Sequence, residues 1–150
     1  QRLAMKATGL FAALAALCLL VGCAHAGVQC IGEDGNPVDW WVVLKAPYLP
    51  DNTDPVASSG YAYSYADANN EALLYTGDQL NTNMDCAVAN TLNQIYDANS
   101  ETGWLMYNDE DPSGSTHSSY GHTKGVVAFD DSTGYWLVHS TPRWPGEPPA

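Results

Sequence analysis

The stretch GHTKGVVAFDDSTGYWLVHS, residues 121–140, carries the clearest fold signal in the chain. Residues 124–129 and 135–139 are rich in β-branched and aromatic side chains, which predicts two strands. The polar DDSTG segment between them predicts a hairpin turn. Because residues i and i+2 of a strand face the same side, His122 and Lys124 are expected to point in one direction.

His122 and Lys124 are the candidate catalytic residues. A metal-free site that cuts a phosphodiester needs a nucleophile or acid that titrates near the working pH, and histidine supplies it. It also needs positive charge on the phosphate oxygens, which lysine supplies. Gly121 and Gly125 flank the pair and would let a substrate phosphate approach the backbone closely. The competing interpretation is two polar residues at a strand edge, because the bare His-x-Lys pattern is weakly specific.

Two further polar residues are candidates for substrate binding. His139 ends the second predicted strand on the face of Tyr135 and Leu137, where a hydrogen-bonded core histidine is the favoured interpretation. The alternative is a supporting role, if the hairpin brings His139 close to His122. Asn108 lies at a strand end, where a polar residue either caps a turn or contacts a ligand.

The acidic run Asp109-Glu110-Asp111 lacks the spacing of a calcium-binding EF-hand loop. A solvated turn is the favoured interpretation, and no metal site is predicted. His117 lies in a Ser/Gly-rich segment and is expected to be exposed to solvent.

The remaining elements indicate an α+β fold. DWWVVLK (39–45) and WLMY (104–107) predict strands, the first buried on both faces because it is apolar almost throughout. GYAYSY (60–65) alternates in character and predicts a half-exposed strand. Helical spacing of apolar residues predicts an amphipathic helix over 84–98, with a face formed by Met84, Val88, Leu92, Ile95 and Tyr96. We expect one mixed sheet with this helix and the C-terminal hairpin.

The first residues have the pattern of a secretory signal. Met5 and Lys6 precede an apolar run that ends in Ala24-His25-Ala26, so residues 5–26 are predicted to be a signal peptide cleaved after Ala26. Residues 1–4 are a leader of unclear origin. A membrane anchor is disfavoured because the apolar run is short and lacks a basic flank, so no stable membrane association is expected. This pattern predicts entry into the secretory pathway.

Cleavage would leave two cysteines, Cys30 and Cys86, as candidates for a disulfide in an oxidising compartment. Neither lies in the spacing of a zinc site. Arg2 and Lys6 would also leave, so three basic residues would face all 17 acidic ones, a net charge of 3 − 17 = −14. This charge excludes broad electrostatic capture of a polyanion at neutral pH, so any contact with nucleic acid must be local or must occur at low pH.

Six blocks of sequence occur in one order between Cys30 and about Pro145. Together they resemble the amino-terminal half of deoxyribonuclease II, the acid lysosomal DNase. The blocks are CIGEDGNPVDWWVVLKAP, GYAYSYAD, TLNQIYDAN, WLMYNDEDP, GHTKGVVAFD and GYWLVHSTPRWP. The departures are small: Tyr120 stands where arginine is common, and Leu44 and Ala46 replace tyrosine and leucine.

The resemblance implies that residues 27–145 form half of a phospholipase D-like α/β sandwich, with 146–150 as a truncated linker. In this family two similar halves each contribute a His-x-Lys motif. Together they hydrolyse DNA at acid pH without metal or cofactor, through a phosphohistidine intermediate, and leave 3′-phosphate ends. The first motif maps onto His122 and Lys124. The resemblance also implies a lysosomal or extracellular location.

The second motif of the family has no counterpart here, because the one histidine after His122 is His139 and no lysine follows it. The chain therefore carries half of the family's site, and we expect it to be inactive alone. Either the missing carboxy-terminal half or a second copy would complete the site. A member that binds DNA or a protein without cutting is the other alternative. In the family, the cysteine that matches Cys30 pairs with one beyond the end of this sequence.

Overall fold

The computed structural model describes residues 27–96, 102–110, 112–115, 119 and 121–146. Six strands form two three-stranded sheets. The first sheet contains β1 (Trp41–Lys45), β2 (Ala62–Asp67) and β3 (Asn70–Gln79), and the second contains β4 (Gly103–Asn108), β5 (Lys124–Phe129) and β6 (Gly134–His139). Helix α1 (Pro55–Ser58) lies between β1 and β2 in the chain, and α2 (Ala87–Tyr96) lies between β3 and β4.

The α+β class is confirmed. The strands do not form the single mixed sheet that the sequence led us to expect, because every pairing between the described strands is antiparallel. Short turns account for the β2–β3 and β5–β6 pairings, because neighbouring strands joined by a short turn can only run in opposite directions.

The hairpin of β5 and β6 is confirmed and has a defined turn. The side chain of Asp130 accepts hydrogen bonds from the backbone amides of Ser132 and Thr133, at 2.7 and 2.8 Å. It also accepts one from the amide of Val28 at 2.7 Å. These backbone donors hold the pKa of Asp130 well below its usual range. The turn therefore closes the hairpin and ties the start of the described chain to it.

Helix α2 packs on the inner face of the second sheet. The core contains Val28, Leu92, Ile95, Val126, Ala128 and Tyr135, with Val88 and Tyr96 packed against it. The predicted apolar helix face is thus confirmed, except that Met84 lies before the helix and is 68% exposed. Residues 97 and 98, the predicted end of the helix, lie outside the described residues.

The first sheet differs from expectation in two ways. Val42 and Leu44 are 50% and 60% exposed, so the prediction that 39–45 is buried on both faces is wrong: only the face of Trp41 and Val43 turns inward. Strand β3 was not predicted at all. Strand β3 is mostly exposed at the sheet edge, and its pairing with β2 contains register shifts. Its sequence therefore lacks the regular alternation of apolar and polar residues that marks a strand.

Candidate active site

The second sheet brings three candidate residues into one row. The register pairs Lys124 of β5 with Asn108 at the end of β4 and with His139 at the end of β6. His122 precedes β5, where the amide of Thr123 donates to the carbonyl of Gly121 at 2.8 Å and tightens the chain. The sheet thus gathers at one end residues that lie more than 30 positions apart in the sequence.

Asp109 connects the two candidate catalytic residues. Its Oδ2 lies 2.7 Å from Nδ1 of His122, and its Oδ1 accepts a hydrogen bond from Nζ of Lys124. The Lys124 side chain is 2% exposed and that of Asp109 is 12% exposed, whereas the imidazole of His122 is 76% exposed. The lysine is therefore fixed by its surroundings, and the histidine presents its ring to solvent.

The environment of Asp109 keeps its carboxyl group ionised. The hydrogen bond from Lys124 is the largest cause that lowers its pKa, and the bond with His122 adds to the effect. The carboxylate therefore keeps its charge at mildly acidic pH. Because it accepts the Nδ1 proton of His122, the Nε2 atom is the ring nitrogen left to meet a ligand.

The prediction of a solvated turn over Asp109-Glu110-Asp111 is wrong for Asp109, which is mostly buried and bonded to the side chains of His122 and Lys124. The reason is the register: Asn108 pairs with Lys124, so the residue that follows β4 lies beside the residues that precede β5. Asp109 could have been located from two features of the sequence taken together. They are the end of the predicted strand 104–107 and the His-x-Lys motif. Asp111 and His117 lie outside the described residues.

His139 has the backbone hydrogen bond that the favoured core interpretation predicted, and it lies opposite Lys124 in the sheet. Its Nδ1 accepts a hydrogen bond from the amide of Thr141 at 3.2 Å, and its ring meets Trp144 edge-on at 4.9 Å, as a core histidine would. Its Nε2 is buried and has no hydrogen-bond partner among the described residues. Burial, and then the charge of Lys124, lower its pKa. A neutral histidine with an unused N–H donor therefore lies next to Lys124 in the sheet.

Asn108 acts as a structural cap. Its Nδ2 donates to the carbonyls of Trp144 and Thr141, at 3.0 and 3.3 Å, and its Oδ1 accepts from the amide of Glu110 at 2.8 Å. These bonds occupy both ends of the amide and attach the segment after β6 to the end of β4. In the same segment, the amide of Arg143 donates to the carbonyl of Glu110 at 2.9 Å. Arg143 itself is exposed and carries a positive φ of 57°.

The two candidate glycines differ. Among the described residues, a Cβ at Gly121 would meet only Thr123, at 4.0 Å, so this position is open to them. A Cβ at Gly125 would lie 2.3 Å from the hydroxyl of Tyr107 and 2.8 Å from the carbonyl of Leu137. Gly125 is therefore glycine because Tyr107 covers it, and it faces away from the side chain of Lys124.

Asp109, Glu110 and His122 each offer a ligand atom within 4.8 Å of the others, which is close enough to hold a cation. However, Nζ of Lys124 is bonded to Asp109 and lies 4.0 Å from Oε1 of Glu110. The positive charge that balances these carboxylates is thus the lysine itself. A metal ion would have to displace it or bind beside it against charge repulsion.

Cys30 and Cys86 are free thiols in the structure and are not bonded to each other. Cys30 lies between residues that bond to Thr91 and Gln94, whereas Cys86 precedes the first turn of α2 and accepts from the amide of Ala89. They therefore lie beside different turns of the helix. Burial raises the pKa of both thiols, so neither is a reactive thiolate.

Comparison with known proteins places this site in a family. The sequence model of deoxyribonuclease II matches residues 29–150. The chain belongs to the deoxyribonuclease II family. It is 41% identical to Plancitoxin-1 of Acanthaster planci over 131 residues, and 41% identical to Deoxyribonuclease-2-alpha of Rattus norvegicus over 122 residues. It is also 41% identical to Cell death-related nuclease 6 of Caenorhabditis elegans over 133 residues.

These matches cover 85%, 79% and 85% of this chain, but only 36%, 34% and 34% of the three relatives. The chain thus spans about a third of the length of the deoxyribonuclease II family members that it matches. Among the described residues, no helix is both long and apolar enough to cross a bilayer.

Proposed function

We propose that this chain supplies one half of the active site of an acid endodeoxyribonuclease, with His122 and Lys124 as its catalytic residues. The observation that carries the proposal is the carboxylate of Asp109, which holds the histidine and the buried lysine together at one end of β5. Of the three relatives, one is named a toxin, one a nuclease and one a deoxyribonuclease. DNA is accordingly the proposed substrate.

In the proposed reaction, Nε2 of His122 either attacks the phosphorus or protonates the leaving oxygen, and Asp109 holds the opposite ring nitrogen in both cases. Attack forms an N–P bond and breaks the bond to the 5′ oxygen, which takes a proton from a second histidine. Water then breaks the N–P bond and leaves a 3′-phosphate. Lys124 stabilises the negative charge that builds on the phosphoryl oxygens. These steps use no metal or cofactor.

The neighbouring residues have separate proposed roles. For His139, which lies opposite Lys124 in the sheet, the proposed role is to donate its Nε2–H to a phosphate oxygen. Gly121 leaves room for the DNA backbone. Asn108 and Gly125 would act indirectly, by holding the segment after β6 and by packing under Tyr107. With a net charge of −14 after cleavage, DNA contact would depend on this local site.

The second histidine would come from polypeptide outside this chain, either a carboxy-terminal half or a second copy. A family member that binds DNA or a protein without cutting is the alternative, and the single His-x-Lys motif favours it for this chain in isolation. We also propose that residues 5–26 are a signal peptide and that 27–145 form the amino-terminal unit of the domain. The protein would then act in the lysosome or outside the cell.

A grafted nuclease tests the proposal. Residues 27–150 replace the aligned segment of the rat Deoxyribonuclease-2-alpha, so that the rest of the relative supplies the missing part of the site. We expect this graft to nick plasmid DNA at acid pH in the presence of a chelator, and we expect His122→Ala to abolish nicking. The chain alone is assayed beside it, at concentrations that would allow dimers.

The matched control is His139→Ala, which removes an imidazole of the same sheet end and should leave part of the activity. Undiminished cleavage by the His122→Ala graft would refute the catalytic assignment. Cleavage by the isolated chain as a dimer would establish the two-copy site. A folded graft that binds DNA without cutting it would favour the alternative.

A further inference from the structure

The second sheet has a face that no described residue covers. Side chains alternate between the two faces of each strand. Val126, Ala128 and Tyr135 lie in the core, so the residues next to them in each strand point to the opposite, outer face. The register arranges this outer face in three rows across β4, β5 and β6: Gly103, Phe129 and Gly134; Leu105, Val127 and Trp136; Tyr107, Gly125 and Val138.

This outer face is apolar and exposed. The exposed fractions are 58% for Leu105, 51% for Phe129, 67% for Trp136 and 68% for Val138. None of its nine positions is charged, although an antiparallel sheet with one face in water normally places polar residues there. Adjacent exposed apolar side chains of this kind mark a surface that another protein element covers.

We propose that the outer face is the docking surface for the polypeptide that longer family members carry beyond the matched third. The relatives are about three times as long as the segment they share with this chain, so they have the material to cover it. The lack of charge on this face requires an apolar partner surface. Because β5 also carries Lys124, the docked polypeptide would lie against the strand that holds the candidate site.

The size of the outer face argues against a second copy as its occupant. The four large side chains that are 51–68% exposed offer on the order of 500 Å² of accessible surface, below the roughly 800 Å² per partner of a stable complex. Polypeptide joined to the same chain loses no translational freedom on docking, so a smaller surface is enough to hold it. The proposal rests on family membership and does not require that the protein cut DNA.

Oxidative footprinting tests the proposal without an activity assay. Hydroxyl radicals modify exposed Trp and Met, and the chain has a matched pair in Trp136, 67% exposed, and Met84, 68% exposed, which lies off the sheet. We expect oxidation of Trp136 to fall at least fivefold between the isolated chain and the graft, while oxidation of Met84 stays the same. Equal oxidation of Trp136 in both proteins would overturn the proposal.

A pair of variants provides the second measurement. Val138→Glu on the outer face should leave the melting temperature of the isolated chain unchanged and lower that of the graft by about 5 °C or more. Met84→Glu, at an equally exposed position, should change neither. The proposal fails if Val138→Glu affects both proteins equally, or if sedimentation shows the isolated chain to be a dimer in which Trp136 is protected. Loss of nicking with Trp136 still protected would count only against the proposed function.

Discussion

Glu33 and Asp109 are two carboxylates that each bridge two donors, and the difference between the donors separates a structural site from a chemical one. Glu33 accepts from the hydroxyl of Tyr63 and from the backbone amide of Ala87, at 2.8 Å, where it caps helix α2. Asp109 instead joins His122 and Lys124. Neither donor of Glu33 changes charge between pH 5 and 8, whereas a histidine and a lysine bring a proton and a fixed charge to a ligand.

The surroundings strengthen this contrast. Tyr63 is 1% exposed, and burial, followed by the bond to Glu33, raises its pKa. The Glu33 pair is thus closed to substrate. At the other carboxylate Lys124 is equally buried, but His122 is open to solvent. The same bidentate geometry therefore stabilises a helix in one region and prepares an exposed imidazole in the other.

After the loss of nicking expected for His122→Ala, the largest expected effect follows from removing the buried ammonium. Lys124→Met keeps a chain of similar length but leaves Asp109 without its cation and the phosphate without its charge. We expect plasmid nicking by the graft to fall about a thousandfold. Lys45→Met is the control, because Nζ of Lys45 bonds to the carbonyl of Gly60 in the first sheet. A loss of less than tenfold for Lys124→Met would contradict the assigned role.

A smaller effect is expected for Asp109→Asn, because Asp109 acts through its partners. Nicking should fall about tenfold to a hundredfold, as expected when reacting groups are misplaced. Asparagine can donate to Nδ1, so neutral His122 should change from the Nδ1–H to the Nε2–H tautomer. The ¹⁵N spectrum of the isolated chain reports this change whether or not the chain is active. An unchanged tautomer would show that Asp109 does not orient the ring.

Glu33→Ala should sharpen the comparison by affecting stability alone. It removes the side-chain acceptor at the start of α2, and we expect the free energy of unfolding to fall by about 1 kcal/mol. Denaturant titration measures the loss, and nicking per folded graft should stay within twofold of the parent. A large loss of nicking in a fully folded Glu33→Ala graft would erase the distinction between the two carboxylates.

The smallest effect concerns pH. The pKa of His139 is lowered in the folded state by burial and by Lys124, so the unfolded chain binds more protons just below pH 6.5. Stability should therefore decline as the pH falls from 7 through the lowered pKa, and His139→Gln should weaken the decline. Asp109 adds nothing in this window, because its stabilising contribution declines only as the pH falls from the unfolded pKa of 3.8 through its lowered folded pKa. Urea titrations at pH 7 and 5 measure the difference.

Local patterns were sufficient for some elements. Strand β5 has the predicted bounds, 124–129, because the β-branched run and the DDSTG turn are short-range signals. The face of Leu92 and Ile95 on α2 followed from helical spacing in the same way. The exposed edge strand β3 escaped prediction because its sequence lacks regular alternation, and Val42 and Leu44 looked buried because they are apolar.

The sequence by itself determined the family, the hairpin and the identity of His122 and Lys124 as the residues to test, because these depend on residue type and short spacing. Only the tertiary structure decided what surrounds them. The contact of Asp109 with His122 crosses 13 residues and depends on the pairing of β4 with β5. The same register turned Gly125 towards Tyr107, set His139 beside Lys124 and left one apolar face that no described residue covers. Strand pairing is a long-range choice, so the local pattern around one residue does not show which distant residues it will meet.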